Sequence, residues 1–389
     1  MSNAIGWCCS HNGELFDDRL SQWNEFSGRK IDRDSVDRIT EKATAEWLHK
    51  PALAPLRLDA PTPTCEVSTT RPKNGRLSAV LFGYGNEAKI MILKHTDSQI
   101  EIRRIHEIEP TQIGPTQIHK HERFEFDTSP CFRPGEQYDV SYIAGYHHTH
   151  AQLAIDAISR GGYAVVEKPI VTTRIQLNNL IDACRENRGR IFCCFQMRYN
   201  PLFALVHKDL KVEPGSAIHY YATVFAVRLP ERHWYLWPNS CSHVIRNACH
   251  WLDHFLYLNE YSPVTRQHIQ VYSNGDSQIG VELENGAVLG LLLTHEGSER
   301  IGLHDHIEFR VNERTITVDT ASKYIAESPK RVIRRARTSR ALCYQLMYRE
   351  ISRKILNGEA GDSLRSLIAT NTLMLDLEEQ RQQRVVNLH

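Results

Sequence analysis

Two short stretches contain residue types that can do chemistry. Residues 83–88 read Gly-Tyr-Gly-Asn-Glu-Ala, a G-x-G-x-x-A pattern. Between a strand and a helix, the first glycine permits a tight turn and the second lets the backbone approach a pyrophosphate. The small Ala88 lets helix and strand pack closely. Asn86 and Glu87 then open the helix, whose unpaired N–H groups face negative charge. The second stretch is Glu167-Lys168-Pro169, directly after the apolar run Tyr163–Val166. By itself the triplet reads equally well as a surface ion pair followed by a strand stop.

A dinucleotide site also calls for an acidic residue at the end of the next strand, about 20 residues on. Glu107 stands there, in Ile-Arg-Arg-Ile-His-Glu. It is expected to accept hydrogen bonds from the adenine ribose and to repel a 2′-phosphate, which favours NAD over NADP. Arg103, Arg104 and His106 are close in sequence and work against that preference, so NADP stays open.

Strands and helices must hold these residues. Leu77–Phe82 is a continuous apolar run, as expected of a strand buried on both faces. A helix about 88–94 and strands at 100–105 and 138–144 follow. A helix over 150–160 repeats Leu153, Ala154, Ala157 and Ile158 on one face and stops at Gly161-Gly162. The run 163–166, a helix over 173–188 and a strand over 191–195 continue the alternation. That alternation predicts an α/β fold with a parallel, doubly wound sheet.

Past about residue 212 the texture changes. Strands are expected at 218–227, 269–273, 278–283, 288–294, 306–311 and 315–318, joined by turns such as Asn285-Gly286 and mostly antiparallel. Helices are expected at 242–258, 341–356 and 363–380. The opening 75 residues differ: Asp34 caps an expected helix over 35–49, followed by a Pro- and Thr-rich linker. The boundaries are therefore 1–75 for an extension, 76–200 for a nucleotide-binding domain and 201–389 for a second domain.

The chain has 389 residues, with 47 Lys and Arg against 46 Asp and Glu. That near balance gives no field to attract nucleic acid or an anionic membrane. No apolar run nears the ~18 residues of a membrane span. The N-terminus lacks the basic start and long apolar stretch of a signal peptide. The ten cysteines include no C-x-x-C pair. They read as reduced thiols of a cytoplasmic protein. Cys8, Cys9 and His11 fit no common zinc spacing, and no metal is expected.

With GYGNEA at 83–88, AGYHHTHAQLAIDAISRGGYAVVEKPI at 144–170, FQMRYNP at 195–201 and CHWLDH at 249–254, the chain resembles the Gfo/Idh/MocA oxidoreductases. The likeness runs from about Arg76 to the C-terminus. It implies a Rossmann domain that binds NAD or NADP, then an α/β domain with a large, mostly antiparallel sheet. That sheet commonly joins subunits, so a homo-oligomer, a dimer or tetramer, is expected. The resemblance further implies that Lys168 sits near nicotinamide and substrate after a cis Lys–Pro bond. It implies that His250 and Asp253 face Lys168 from a helix of the second domain.

Oxidation of a secondary alcohol needs a base for the hydroxyl proton and positive charge near the oxygen. His250 suits the first task and Lys168 the second. Asp253, one helical turn on, is expected to orient the imidazole or grip a substrate hydroxyl. Glu167 is expected to order Lys168 or the cofactor ribose. His148 and His150 line the nicotinamide side or serve packing alone. Tyr199 and Trp234 are candidate substrate contacts, Trp234 in an aromatic loop at 231–238.

One departure stands out: Arg246 occupies the place where inositol dehydrogenase-like members carry aspartate, four residues before the histidine. It either receives an anionic group of a small-molecule substrate or pairs with Asp253. The leading expectation is an NAD-dependent oxidoreductase of a sugar, cyclitol or related polyol. An imine reductase and a non-catalytic NAD-binding sensor are the rivals.

Overall fold

The computed structural model describes residues 75–113, 124–187, 189–231 and 233–386. The expected N-terminal helix, its linker and the Cys8, Cys9 and His11 trio lie outside these residues.

The first sheet is parallel, in the order β3-β2-β1-β4-β5-β6. Its strands are β1 Leu77–Phe82, β2 Ile100–His106, β3 Glu125–Asp127, β4 Val140–Ile143, β5 Tyr163–Val166 and β6 Ile191–Cys193. Every residue of β4 and β5 is buried, so these strands are covered on both faces rather than alternating. Helix α1, His150–Ser159, links β4 to β5. Helix α2, Arg174–Glu186, links β5 to β6 and is capped by the Thr173 side chain, which accepts from the Gln176 N–H. The segment after the glycine pattern is a π-helical turn, Ala88–Ile92, continued by Leu93–His95.

The second sheet has eight strands in the order β14-β13-β12-β11-β7-β10-β9-β8. These are β7 His219–Phe225, β8 Val264–Val271, β9 Ser277–Leu283, β10 Val288–Thr294, β11 His304–Val311, β12 Arg314–Asp319, β13 Lys323–Ser328 and β14 Arg331–Arg337. All its pairings are antiparallel except β7 with β10. The sequence reading missed β13 and β14. Strand β14 is an edge strand, Arg-Val-Ile-Arg-Arg-Ala-Arg, with no fully buried residue and hence no hydrophobic alternation to detect. Helix α3, Cys249–Leu258, lies on this sheet, with Trp251, Leu252, Phe255 and Leu256 in one core with Ile279, Leu291, Ile307 and Phe309.

Helix α4, Arg340–Leu356, returns to the first sheet. Its Met347, Tyr348, Ile351 and Ile355 share a core with Leu81, Ile105, Tyr142 and Val165. Residues far beyond position 200 therefore form a layer of the parallel sheet, because its face must be covered and α4 offers the apolar side chains. Helix α5, Leu364–Val386, packs on α3 and β8.

Candidate active site

A cavity of about 680 Å³ opens where the parallel strands end. That is the edge at which open α/β sheets take their ligands. Gly83 and Gly85 follow β1, Glu107 follows β2, Gly145 follows β4, and Glu167 and Lys168 follow β5; all line the cavity. Gly83 has φ +91°, and a Cβ there would lie 2.5 Å from the Ala144 carbonyl oxygen. Only glycine fits that close crossing. A Cβ on Gly85 would meet nothing within 4 Å. The backbone there is open to the cavity, as a pyrophosphate requires. Ala88 is fully buried and does not reach the cavity; it serves the close packing expected of the third position.

Glu107 is buried and accepts from the Tyr84 N–H at 2.5 Å and the Glu109 N–H at 2.7 Å. The basic residues beside it are committed elsewhere. Arg103 pairs with Glu101 at 3.3 Å, and Arg104 holds Glu125 and Glu136. His106 stacks on Phe82 and lies 3.0 Å from the Ser129 carbonyl. None is left free for a 2′-phosphate. His106, Asp127 and Glu136 also cluster, but Arg133 holds Asp127 and Arg104 holds Glu136, so this is an ion-pair network.

The Lys168–Pro169 bond is cis. The Lys168 Nζ lies 3.4 Å from the Arg246 carbonyl oxygen, to which it donates. Burial lowers its pKa, but the acidic groups around it, Tyr235, Cys249, Glu167 and Glu87, outweigh burial and raise it. Cys249 is itself pushed up to about 12 by burial, so the carboxylates are the charges that act near neutral pH. Glu167 accepts from the Tyr348 hydroxyl at 2.6 Å, so its carboxyl is anchored to α4. Burial raises its pKa, as it does for Glu87, which reaches about 7.

His250 lines the same cavity from the first turn of α3. Burial, then Lys168 and Arg340, hold its pKa well below the usual histidine value. The ring is therefore neutral at physiological pH, and its Nδ1 has no hydrogen-bond partner. A neutral imidazole beside an ammonium can take a proton while the ammonium steadies an oxyanion.

Besides Ala88, four expected site residues are not on the cavity wall. Asp253 is fully buried and turned away, gripped by Arg198 at 2.8 and 2.5 Å and by Thr370 at 2.8 Å. Both of its oxygens are used, so it neither orients His250 nor reaches a ligand. Arg246 does not pair with Asp253 and does not face the cavity; it donates to the Tyr235 carbonyl and lies against the Tyr235 ring. Burial lowers its pKa. Tyr199 lines a separate groove with Leu77 and Arg349, on the α4 side of the first sheet. The His148 ring stacks on Tyr146, and its carbonyl accepts from Gln176.

Other residues stand on the wall. His147 replaces His148 on the wall, its ring 4.7 Å from those of both Trp234 and Tyr235. Burial pushes its pKa down to about 2. His150 is buried between the Pro169 carbonyl at 2.8 Å and the Gly145 carbonyl at 3.1 Å, tying α1 to the lysine loop. Trp234 lines the cavity as expected. Asn247, Trp251, Asp305 on β11, and Arg340 and Tyr344 on α4 also line it and were not foreseen. Only the run His-His-Thr-His after β4 carried a local signal for any of the unforeseen residues.

A parallel nucleotide-type sheet, a glycine turn at its carboxyl edge and a neutral histidine sharing a cavity with a half-buried lysine define a Rossmann-domain oxidoreductase. Residues 80–195 match the GFO_IDH_MocA family, an oxidoreductase family with an NAD-binding Rossmann fold. That match covers the first sheet and the helices between its strands. No curated protein sequence matches it. Among solved structures, a dehydrogenase from Chromobacterium violaceum is 15% identical over 81% of this chain and 98% of its own, with a TM-score of 0.67. A Gfo/Idh/MocA family oxidoreductase from Vibrio cholerae is 16% identical over 80% and 99%, with a TM-score of 0.62. A levoglucosan dehydrogenase in complex with NADH and levoglucosan is 16% identical over 79% and 98%, with a TM-score of 0.65. At such identities the likeness speaks for the fold.

Proposed function

We propose that this oxidoreductase moves hydride between NAD and a secondary alcohol or its ketone on a sugar, cyclitol or related polyhydroxylated molecule. The observation that carries the reading is that Lys168 and His250, from different layers of the fold, meet at one cavity with opposite proton needs. NAD bound at the glycine turn supplies the hydride acceptor. Lys168 stays charged, donates to the substrate oxygen and stabilises negative charge as it develops. His250, neutral, accepts the hydroxyl proton at a ring nitrogen as the C–H bond breaks. The products are the ketone, the reduced cofactor and a protonated imidazole that returns its proton to solvent.

The cavity is the size of a small-molecule site. Aromatic rings of Trp234 and Tyr235 offer flat apolar walls, while Asn247 and Asp305 offer hydrogen-bond acceptors for hydroxyls. The solved relative with levoglucosan acts on an anhydrosugar by name, which is consistent with a polyhydroxylated substrate. With Arg246 off the wall, nothing favours an anionic substrate on its account. In this reading residues 76–200 carry the nucleotide, 201–389 supply the substrate side, and the protein assembles as a homo-oligomer in the cytoplasm.

The test is NAD reduction, followed by nicotinamide absorbance, over a panel of sugars and cyclitols. Turnover in the wild type that collapses in Lys168→Ala, with NAD affinity kept, is expected. Equal turnover in that variant would remove Lys168 from the chemistry, and NADH oxidation by imines alone would replace the alcohol reading.

A further inference from the structure

Glu87 stands where a hydrophobic side chain would be the cheaper choice. It follows the cradle at Gly85 by two residues and lines the cavity. Its Oε1 is buried without a hydrogen-bond partner. An unpaired buried carboxylate oxygen is costly and asks for a compensating ligand group. The charged groups that act on it are Glu167 and Lys168, from the end of β5. From α4 the phenols of Tyr344 and Tyr348 also interact with it; both have pKa values raised well above 10, mainly by burial, and so are neutral.

Gly85, Glu87 and Lys168 line one cavity, so a dinucleotide held between Gly85 and Lys168 would share it with the Glu87 carboxylate. The two redox forms of that nicotinamide differ in one property that a carboxylate reads directly: the oxidised ring is a cation and the reduced ring is neutral. We propose that Glu87 is a redox-state selector, whose carboxylate favours the oxidised cofactor over the reduced one. The inference rests on the NAD reading above. The charge balance is simple. The Glu87 carboxyl gives up its proton to solvent when the cationic ring arrives, and keeps it when the neutral ring arrives. With burial and Glu167 raising its pKa to about 7 against the pull of Lys168, Glu87 is partly protonated near neutrality and can report that difference.

Isothermal titration calorimetry of the full chain, in two buffers of unlike ionisation enthalpy, tests this with no variant required. At pH 7, NAD+ binding should release roughly half a proton and NADH binding close to none. In Glu87→Gln the proton release should vanish. The affinity ratio should shift roughly tenfold toward NADH at pH 8 and less at pH 6. Equal proton release for both forms, or an unchanged ratio in the variant, overturns the inference while leaving NAD binding intact. Failure of the wild type to bind either form brings down the NAD reading and this inference with it.

Discussion

Arg198 holds Asp253 with two parallel hydrogen bonds, Nε to Oδ2 at 2.8 Å and Nη2 to Oδ1 at 2.5 Å. The pair is buried, and Arg198 also reaches Asp362 at 3.4 Å. Asp362 in turn accepts from the Cys193 N–H at the end of β6. The chain thus clamps β6, α3 and the start of α5 through one guanidinium. Removing one partner of a buried pair leaves the other charge uncompensated. Asp253→Ala should cost about 3–5 kcal/mol in urea unfolding. Its KM should hold at a temperature where it stays folded. A raised KM with unchanged stability would return Asp253 to the substrate.

The two glycines separate folding from binding. Gly83→Ala forces a Cβ to 2.5 Å from the Ala144 carbonyl at φ +91°, so soluble yield and melting temperature should fall. Gly85→Val meets open space and should fold normally. It should weaken NAD binding by about tenfold or more, since its branches would occupy the approach to the backbone. Thermal melts with and without NAD distinguish the two.

Arg246 donates to the Tyr235 carbonyl and is off the cavity wall. Arg246→Gln should leave the relative preference for anionic and neutral substrates unchanged, while loosening the aromatic loop and lowering kcat/KM for all of them alike. A selective loss for anionic substrates would contradict its position.

Lys168→Ala and His250→Asn should each lower kcat by about 10²–10⁴-fold. The pH profile carries a further sign. His250 is held well below its usual pKa, so it remains a base below pH 6.5. The acid limb of alcohol oxidation should therefore lie below that value, read from kcat against pH.

Buried neutral histidines also set stability. His147, His243 and His254 are pushed down to about 2, 4 and 3, mainly by burial. The unfolded chain binds protons first, near pH 6.5, and the folded chain only at lower pH. Their contribution is full above 6.5 and is lost as pH falls toward the folded values. Each should cost about 2 kcal/mol at pH 5 relative to pH 7. Denaturation midpoints at the two pH values check this.

Local patterns carry much of this protein. The apolar runs at Leu77–Phe82 and Tyr163–Val166, the glycine turn and the helix with Leu153, Ala154 and Ala157 were legible because each is decided by neighbours in sequence. So were the doubly wound sheet and the placement of Lys168 and His250 by family likeness. Asp253 and Arg246 were not legible. Helical spacing puts His250 and Asp253 on neighbouring turns, but a partner from elsewhere decides where a carboxylate points. Arg198 supplied that partner. For Arg246, the Tyr235 carbonyl did so.

The sequence by itself determined the alternating architecture, the nucleotide turn and the residues able to handle a proton. Periodicity, glycine geometry and side-chain chemistry are local. Only the tertiary structure decided which charges share the cavity. It brought Glu87 beside Glu167 and Lys168, carried α4 from the end of the chain onto the first sheet, and spent Asp253 on a clamp. Burial and pairing across long sequence separations set those outcomes, and a carboxylate's role follows from what it meets when water is removed.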